Sequence, residues 1–322
     1  MPEQEKNFNV RDKIDMSRIK KRERTDRIFK AIFLIAGILS ALMIILIFIF
    51  VGGKGIKPFL PGYEFGRQNL GKFLTGMTWR SDQNPPVYGA AFIVVNTLIS
   101  AFLASVVSFP ISVLTALFIV KIAPKKLRGF FTTVVELLAA IPSVVYGVFA
   151  AGKITTLVNS MAQHFGLTTH GGLSQLTVSI LLAIMIFPTI TSMAINAIAA
   201  VDKNLELGSL ALGASKTQTH FKVVLSAAKS GIFAGLILGL GRAFGEATAV
   251  SMVAGNSMTG PSWNLFDITR TLTSTMLSGL KETSGLDYDI RFSVGIVLML
   301  IVLITNFSIQ LIKRSIGGVS HE

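Results

Sequence analysis

Arg242 and Glu246 stand near the middle of an otherwise apolar stretch, residues 231–254, that is long enough to cross a bilayer as a helix. A charge at that depth costs about 2.5–3.5 kcal/mol on insertion scales, so such residues usually face protein or water and often mark the route of a polar substrate or ion. The chemistry on offer is recognition of charge. A guanidinium can fork two hydrogen bonds onto a phosphate-like oxyanion. Arg before Glu at i, i+4 is the weaker order for a pair within one helix, which points to partners elsewhere. Gly231, Gly235 and Gly239 precede the pair at i, i+4, i+8, a spacing that lets helix backbones approach closely. Arg242 and Glu246 continue that stripe at steps of three and four. The spacing therefore predicts a central helix whose charged pair lies on a protein-facing side, in an interface or a pore, with Gly241 and Gly245 as a second small-residue pair beside it.

The elements that must position this helix are also apolar. The chain has 322 residues, of which 51% are hydrophobic and 15% charged, too few charges for the surface of a soluble domain of this size. The apolar residues come in blocks, and six spans are expected: residues 31–51, 92–120, 129–151, 176–200, 231–254 and 292–312. Each covers the roughly 20 residues that cross the hydrocarbon core. The alternation of a membrane barrel is absent, so the fold class is an all-α membrane protein. Pro110, Pro142 and Pro188 interrupt three spans and are expected to bend them. Glu136, a third charge at membrane depth, is expected to pair with Lys125 or Arg128. Two outer segments, residues 154–165 and 265–280, have the periodicity of short interfacial helices.

The domain organisation follows: a polar tail (1–30), a first anchor (31–51), an outer loop (52–91) rich in Gly, Pro and aromatics, a five-helix core (92–312) and a short tail (313–322). The length of the outer loop suggests a task. The net charge of +13 tracks topology rather than nucleic acid binding. Lys and Arg crowd the first tail, the turn at 121–128, the loop at 202–229 and the end of the chain, all on one side if the spans alternate. The positive-inside rule makes that side cytosolic, with both termini inside. The chain has no cysteine, and its four His are scattered over loops, so neither a disulfide nor a metal site is expected. No nucleophile–base set appears, and an enzyme is not expected.

The loop at 202–229 carries an amphipathic helix signal. Asp202 or Asn204 can cap it, Leu207, Leu210, Ala211 and Ala214 form one apolar face, and Gly213 can end it. An apolar helix in the cytosol beside a membrane is expected to dock in a groove on a partner. Gly208 and Gly213 have P-loop spacing, but Ala214 stands where that motif needs Lys. Work driven by ATP would have to come from a partner.

Residues 207–226 resemble the signature loop of binding-protein-dependent ABC importer permeases. Gly213, Val223 and Leu225 match in register, Leu207, Gly208 and Ser209 occupy the Glu-Ala-Ala positions, and Glu206 is one place early. Residues 137–147 (Leu-Leu-Ala-Ala-Ile-Pro-Ser-Val-Val-Tyr-Gly), residues 241–256 and residues 73–79 look like the PstC family of phosphate permease subunits. The resemblance spans residues 29–312. It implies a type I ABC importer permease fold in a bacterial or archaeal cytoplasmic membrane, and no cofactor. It implies pairing with a second, PstA-like permease, two ATPase subunits and an extracytoplasmic phosphate-binding protein. It also implies that residues 205–219, with Leu207, Gly208, Leu210, Gly213, Ala214 and Leu225, couple to the ATPase, and that Arg242 and Glu246 act in translocation of phosphate. A permease of the same fold for sulfate or molybdate, and a stand-alone secondary transporter, are the rival expectations.

Overall fold

The computed structural model describes the backbone of residues 16–316 and the side chains of residues 25–311. The chain divides into two units, residues 1–53 and residues 54–322. The first unit is the greater part of helix α1 (Met16–Ile56). Its side chains from residue 25 to residue 50 are all exposed, Phe33 at 73%, as suits a helix whose solvent is lipid.

In the second unit, a loop holding the short helix α2 (Leu70–Thr75) and a hairpin of β1 (Trp79–Arg80) with β2 (Val87–Tyr88) leads into α3 (Ala91–Leu117). A π-helical turn, Phe118–Ile122, ends α3. Then come α4 (Lys125–Ala140), α5 (Ser143–Phe149), a second π-turn (Ala150–Ile154) and α6 (Thr155–His164). Helix α7 (Gln175–Ala199) crosses back to α8 (Lys203–Ala211) and the single turn α9 (Lys216–Gln218). A third π-turn, Thr219–Val224, opens α10 (Leu225–Gly245), which is followed by α11 (Thr248–Val253), α12 (Leu272–Leu277) and α13 (Gly285–Ile316).

The centre of the second unit is α7. Its Leu181, Met185, Ile186, Ile190 and Ile198 are fully buried. Helix α3 meets it with small residues, Ala101, Ala104, Ser108, Ser112 and Ala116, all buried. Small residues at these steps let backbones approach where apolar burial alone gives no advantage over lipid. Helix α10 packs on α7 through its glycines. A Cβ at Gly231 would lie 2.5 Å from Ala197 Cβ, one at Gly235 2.9 Å from Met193 Cβ, and one at Gly239 2.7 Å from Ile190 Cγ1. Gly235→Val is therefore expected to push α10 off α7 and cost about 1–3 kcal/mol. A detergent melt of the purified chain checks this, and an unchanged melting temperature would mean that the two helices can re-seat.

Among the described residues, six helices are long and apolar enough to span a membrane: Thr25–Phe59, Ala91–Ile122, Ser143–His164, Gln175–Ala199, Lys216–Gly245 and Gly285–Leu311. The third and fifth depart from expectation. The expected span at 129–151 is cut in two, because Ile141 and Pro142 take extended backbone (ψ 127° and 142°). The segment expected as a separate interfacial helix at 154–165 is the continuation of the helix that starts after this break. Pro110 and Pro188, by contrast, sit inside unbroken helices. The helical signal at 265–280 shrinks to α12. Glu136 is exposed and makes no ion pair among the described residues. Arg128, its expected partner, instead donates to the carbonyls of Ile119 (3.1 Å) and Val120, in the π-turn at the end of α3.

The loop between α1 and α3, expected on the outer side, is folded into the unit. Phe73 and Trp79 are each 2% exposed and pack with Phe92, Ile93, Leu272 and Ile290. Tyr63 donates to Asp289 (2.9 Å), which Lys54 also approaches at 3.6 Å. Burial, first, and then the Asp289 carboxylate push the Tyr63 hydroxyl well above its ordinary range. Arg270 donates to the carbonyls of Ser257 (2.6 Å) and Asn256 (2.8 Å). Burial and the nearby Arg291 lower it to about 10, so it stays charged at neutral pH.

Candidate translocation and coupling sites

Helix α10 stops at Gly245, one residue before the expected carboxylate. Glu246 takes extended backbone (ψ 111°), so Arg242 and Glu246 do not share a helical stripe. Glycine carries a high helix cost, and a Cβ at Gly241 or Gly245 would meet nothing within 4 Å, so no side-chain packing at either position favours the helical turn. The break gives the two charges separate helix ends. Arg242 lies in the last turn of α10, where a cation suits the carbonyl end of the dipole. Glu246 lies just ahead of α11, and its Oε1 accepts from the Ala249 amide (3.0 Å), where an anion suits the amide end. The Glu246 carbonyl is held in turn by the Thr273 hydroxyl at 2.8 Å.

The half-buried Arg242 guanidinium donates to Thr189 Oγ1 at 3.2 Å, on α7 beside Pro188. The described residues show no ion pair between Arg242 and Glu246. An arginine with a single neutral hydroxyl as its recorded partner keeps donors available for an anion. Beside the break lies a cavity of about 340 Å³ walled by Gly245, Ala247, Thr273, Met276, Leu277 and Phe292. Thr189 was not legible in the sequence, since a hydroxyl one residue after a helix proline carries no pattern of its own.

The second site is at the end of the unit where the lysine-rich turns gather. No residue of α8 is buried. Leu207 is 62% and Leu210 39% exposed, and Leu212 reaches 91%. Asp202 caps the helix through the Asn204 amide (2.9 Å). Gly213, at φ +84°, ends it, and a Cβ at Gly208 or Gly213 would meet nothing within 4 Å. Ala214 is half-buried. The structure thus gathers Leu207, Gly208, Leu210, Gly213 and Ala214 on one protruding element. Leu225 stands apart from them, half-buried against the cluster of Ala116, Leu117, Val224 and Ala228. Sequence periodicity missed Leu212, because it falls just past the end of the helix, where a helical face no longer predicts direction.

Residues 108–317 match the family described as binding-protein-dependent transport system inner membrane component. The chain is 36% identical to "Probable ABC transporter permease protein YqgH" of Bacillus subtilis over 78% of this chain and 79% of that relative. It is 34% identical to "Phosphate transport system permease protein PstC" of Pasteurella multocida, over 73% of this chain and 79% of that one. The fold resembles a chain of a bacterial alginate ABC transporter, crystallised with an alginate-pentasaccharide-bound periplasmic protein. There the TM-score is 0.63 at 18% identity, with 94% of this chain and 99% of that one covered.

Proposed function

We propose that this chain, which belongs to the family of binding-protein-dependent transport system inner membrane components, is the permease subunit of an ATP-driven importer of inorganic phosphate. The observation that carries the cargo is the similarity to permeases named for phosphate transport in Pasteurella multocida and Haemophilus influenzae, over 73% and 81% of the chain. The site suits that cargo. Arg242 offers a fork of donors beside an open glycine face, and Glu246 fixes the helix break next to it. In this reading the lysine-rich end is cytosolic, following the positive-inside rule. A second, PstA-like permease completes the path, an extracytoplasmic binding protein delivers phosphate, and of two ATPase subunits one seats on α8. The permease performs no hydrolysis of its own.

The test is uptake of labelled phosphate by cells lacking this chain and complemented with it, with sulfate as competitor. Restored uptake that sulfate does not reduce supports the reading. Restored uptake of sulfate or molybdate in its place would move the cargo assignment to that anion. Collapse of the proton gradient with ATP maintained is expected to leave uptake running, and its arrest would favour a secondary transporter.

Docking on α8 has its own check. Leu212 is 91% exposed, so Leu212→Asp is expected to leave the fold intact and place a charge in the docking face. Association with the ATPase is expected to weaken roughly tenfold, of the order of one lost leucine burial. Ala214→Asp is expected to act in the same direction. Normal co-purification of the ATPase with both variants would reject α8 as its seat.

A further inference from the structure

Helix α8 projects its leucines outward, and two polar ties found in the structure join it to the membrane helices. Glu206 forms an ion pair with Lys121, with the two side chains 20% and 13% exposed. Ser209 Oγ meets Thr219 Oγ1 at 2.9 Å, and Thr219 is buried. Both ties land on π-turns: Lys121 lies in Phe118–Ile122, at the end of α3, and Thr219 opens Thr219–Val224, at the start of α10. Single π-turns within helices recur at functional positions. The first of these is braced by Arg128, which bonds the carbonyls of Ile119 and Val120. A load on α8 therefore reaches α10, which carries Arg242, and separately α3, which packs along α7.

We propose that Lys121–Glu206 is a latch that makes α8 and α3 move as one piece, so that thrust from a docked ATPase is divided between α3 and α10. The proposal rests on the reading of α8 as the ATPase seat. It gives Glu206 a task distinct from docking. The carboxylate is largely covered and turned toward its own chain, whereas Leu207, Leu210 and Leu212 form the outward surface. A mostly covered pair is screened less by salt than a surface pair, and removing one member leaves a partly desolvated charge. Both groups are positioning residues, since neither touches cargo or nucleotide.

The experiment uses the whole complex in proteoliposomes with Lys121→Met, Glu206→Gln and the charge exchange Lys121→Glu/Glu206→Lys. Each single variant is expected to keep its ATPase subunits and hydrolyse ATP. Cargo moved per ATP should fall at least roughly fivefold, the lower end for coupling between sites, and the exchange should recover most of the loss. Wild-type stoichiometry in the single variants overturns the latch. So does an exchange no better than either single variant. Loss of the ATPase from Glu206→Gln but not from Lys121→Met would make Glu206 a docking residue instead, which also overturns it.

A second measurement does not depend on cargo. The chain has no cysteine, so spin labels placed by Ile122→Cys and Lys203→Cys report on the α3–α8 distance with no background from this chain, in a complex whose partner subunits are made cysteine-free. With the latch intact the distribution should stay narrow with and without ATP, and Glu206→Gln should broaden it. Equal widths overturn the latch whatever is carried, whereas failure of phosphate uptake with a broadened distribution sinks the cargo assignment alone.

Discussion

Arg242→Gln is expected to lower phosphate uptake by roughly a hundredfold or more while the complex still assembles. Two charge-assisted hydrogen bonds to an oxyanion contribute about 1.5–3 kcal/mol each, and glutamine offers neither the charge nor the fork. The structural cost should be small by comparison. The recorded partner of the guanidinium is the Thr189 hydroxyl at 3.2 Å, and a neutral bond of that kind contributes about 1 kcal/mol. Since Glu246 is held by the Ala249 amide and does not depend on Arg242, the variant strands no partnered carboxylate. Arg242→Lys keeps a point charge without the planar fork and should fall between the two. Labelled phosphate uptake, with the amount of complex in the membrane measured alongside, checks the prediction. Full uptake by the glutamine variant would make Arg242 structural, and loss of the complex would mean that the Thr189 contact matters more than its geometry suggests.

Much of the fold could be read from residue pattern because lipid allows few solutions: a backbone in hydrocarbon must satisfy its own hydrogen bonds, so apolar blocks of the right length become helices. The glycines at 231, 235 and 239 were legible as a packing stripe for the same reason, and their backbones do approach Ala197, Met193 and Ile190. What could not be read was where a helix stops inside the apolar block. Residues 241–246 keep helical periodicity, yet the turn unwinds at Glu246, and that moves the carboxylate from Arg242 to α11. Pro142 ends a helix while Pro110 and Pro188 do not, since a proline's effect depends on what re-satisfies the freed carbonyls. Glu206 looked like a displaced signature residue, and its meaning depended on Lys121, 85 residues earlier. Long-range pairs of that kind leave no local trace. The family signature pointed to the segment around α8 as a whole, but the division of its residues into an outward face (Leu207, Leu210, Leu212) and an inward tie (Glu206, Ser209) is a fact of packing.

The N-terminal end of α7 yields the second large effect, at a dipeptide that sequence alone treats as two equivalent glycines. Gly171 and Gly172 both have left-handed backbone, at φ +64° and +85°. A Cβ at Gly171 would meet nothing within 4 Å, whereas one at Gly172 would lie 2.0 Å from the Thr155 carbonyl oxygen. That oxygen belongs to the first residue of α6, just past the π-turn, and a helix backbone cannot swing aside as a side chain can. Gly172 is further fixed by hydrogen bonds from its amide to Thr169 Oγ1 (3.0 Å) and from Thr177 Oγ1 to its carbonyl (2.6 Å). Gly171→Ala should therefore cost about 1–2 kcal/mol, the backbone term alone. Gly172→Ala adds overpacking to the same term and should cost about 2–5 kcal/mol. The pair of variants separates conformation from collision, since the backbone term is common to both. Detergent melting of the two purified proteins, with their levels in the membrane, gives the comparison. If Gly172→Ala melts with Gly171→Ala, then α6 and the start of α7 are free to part, and the junction does not hold them in register.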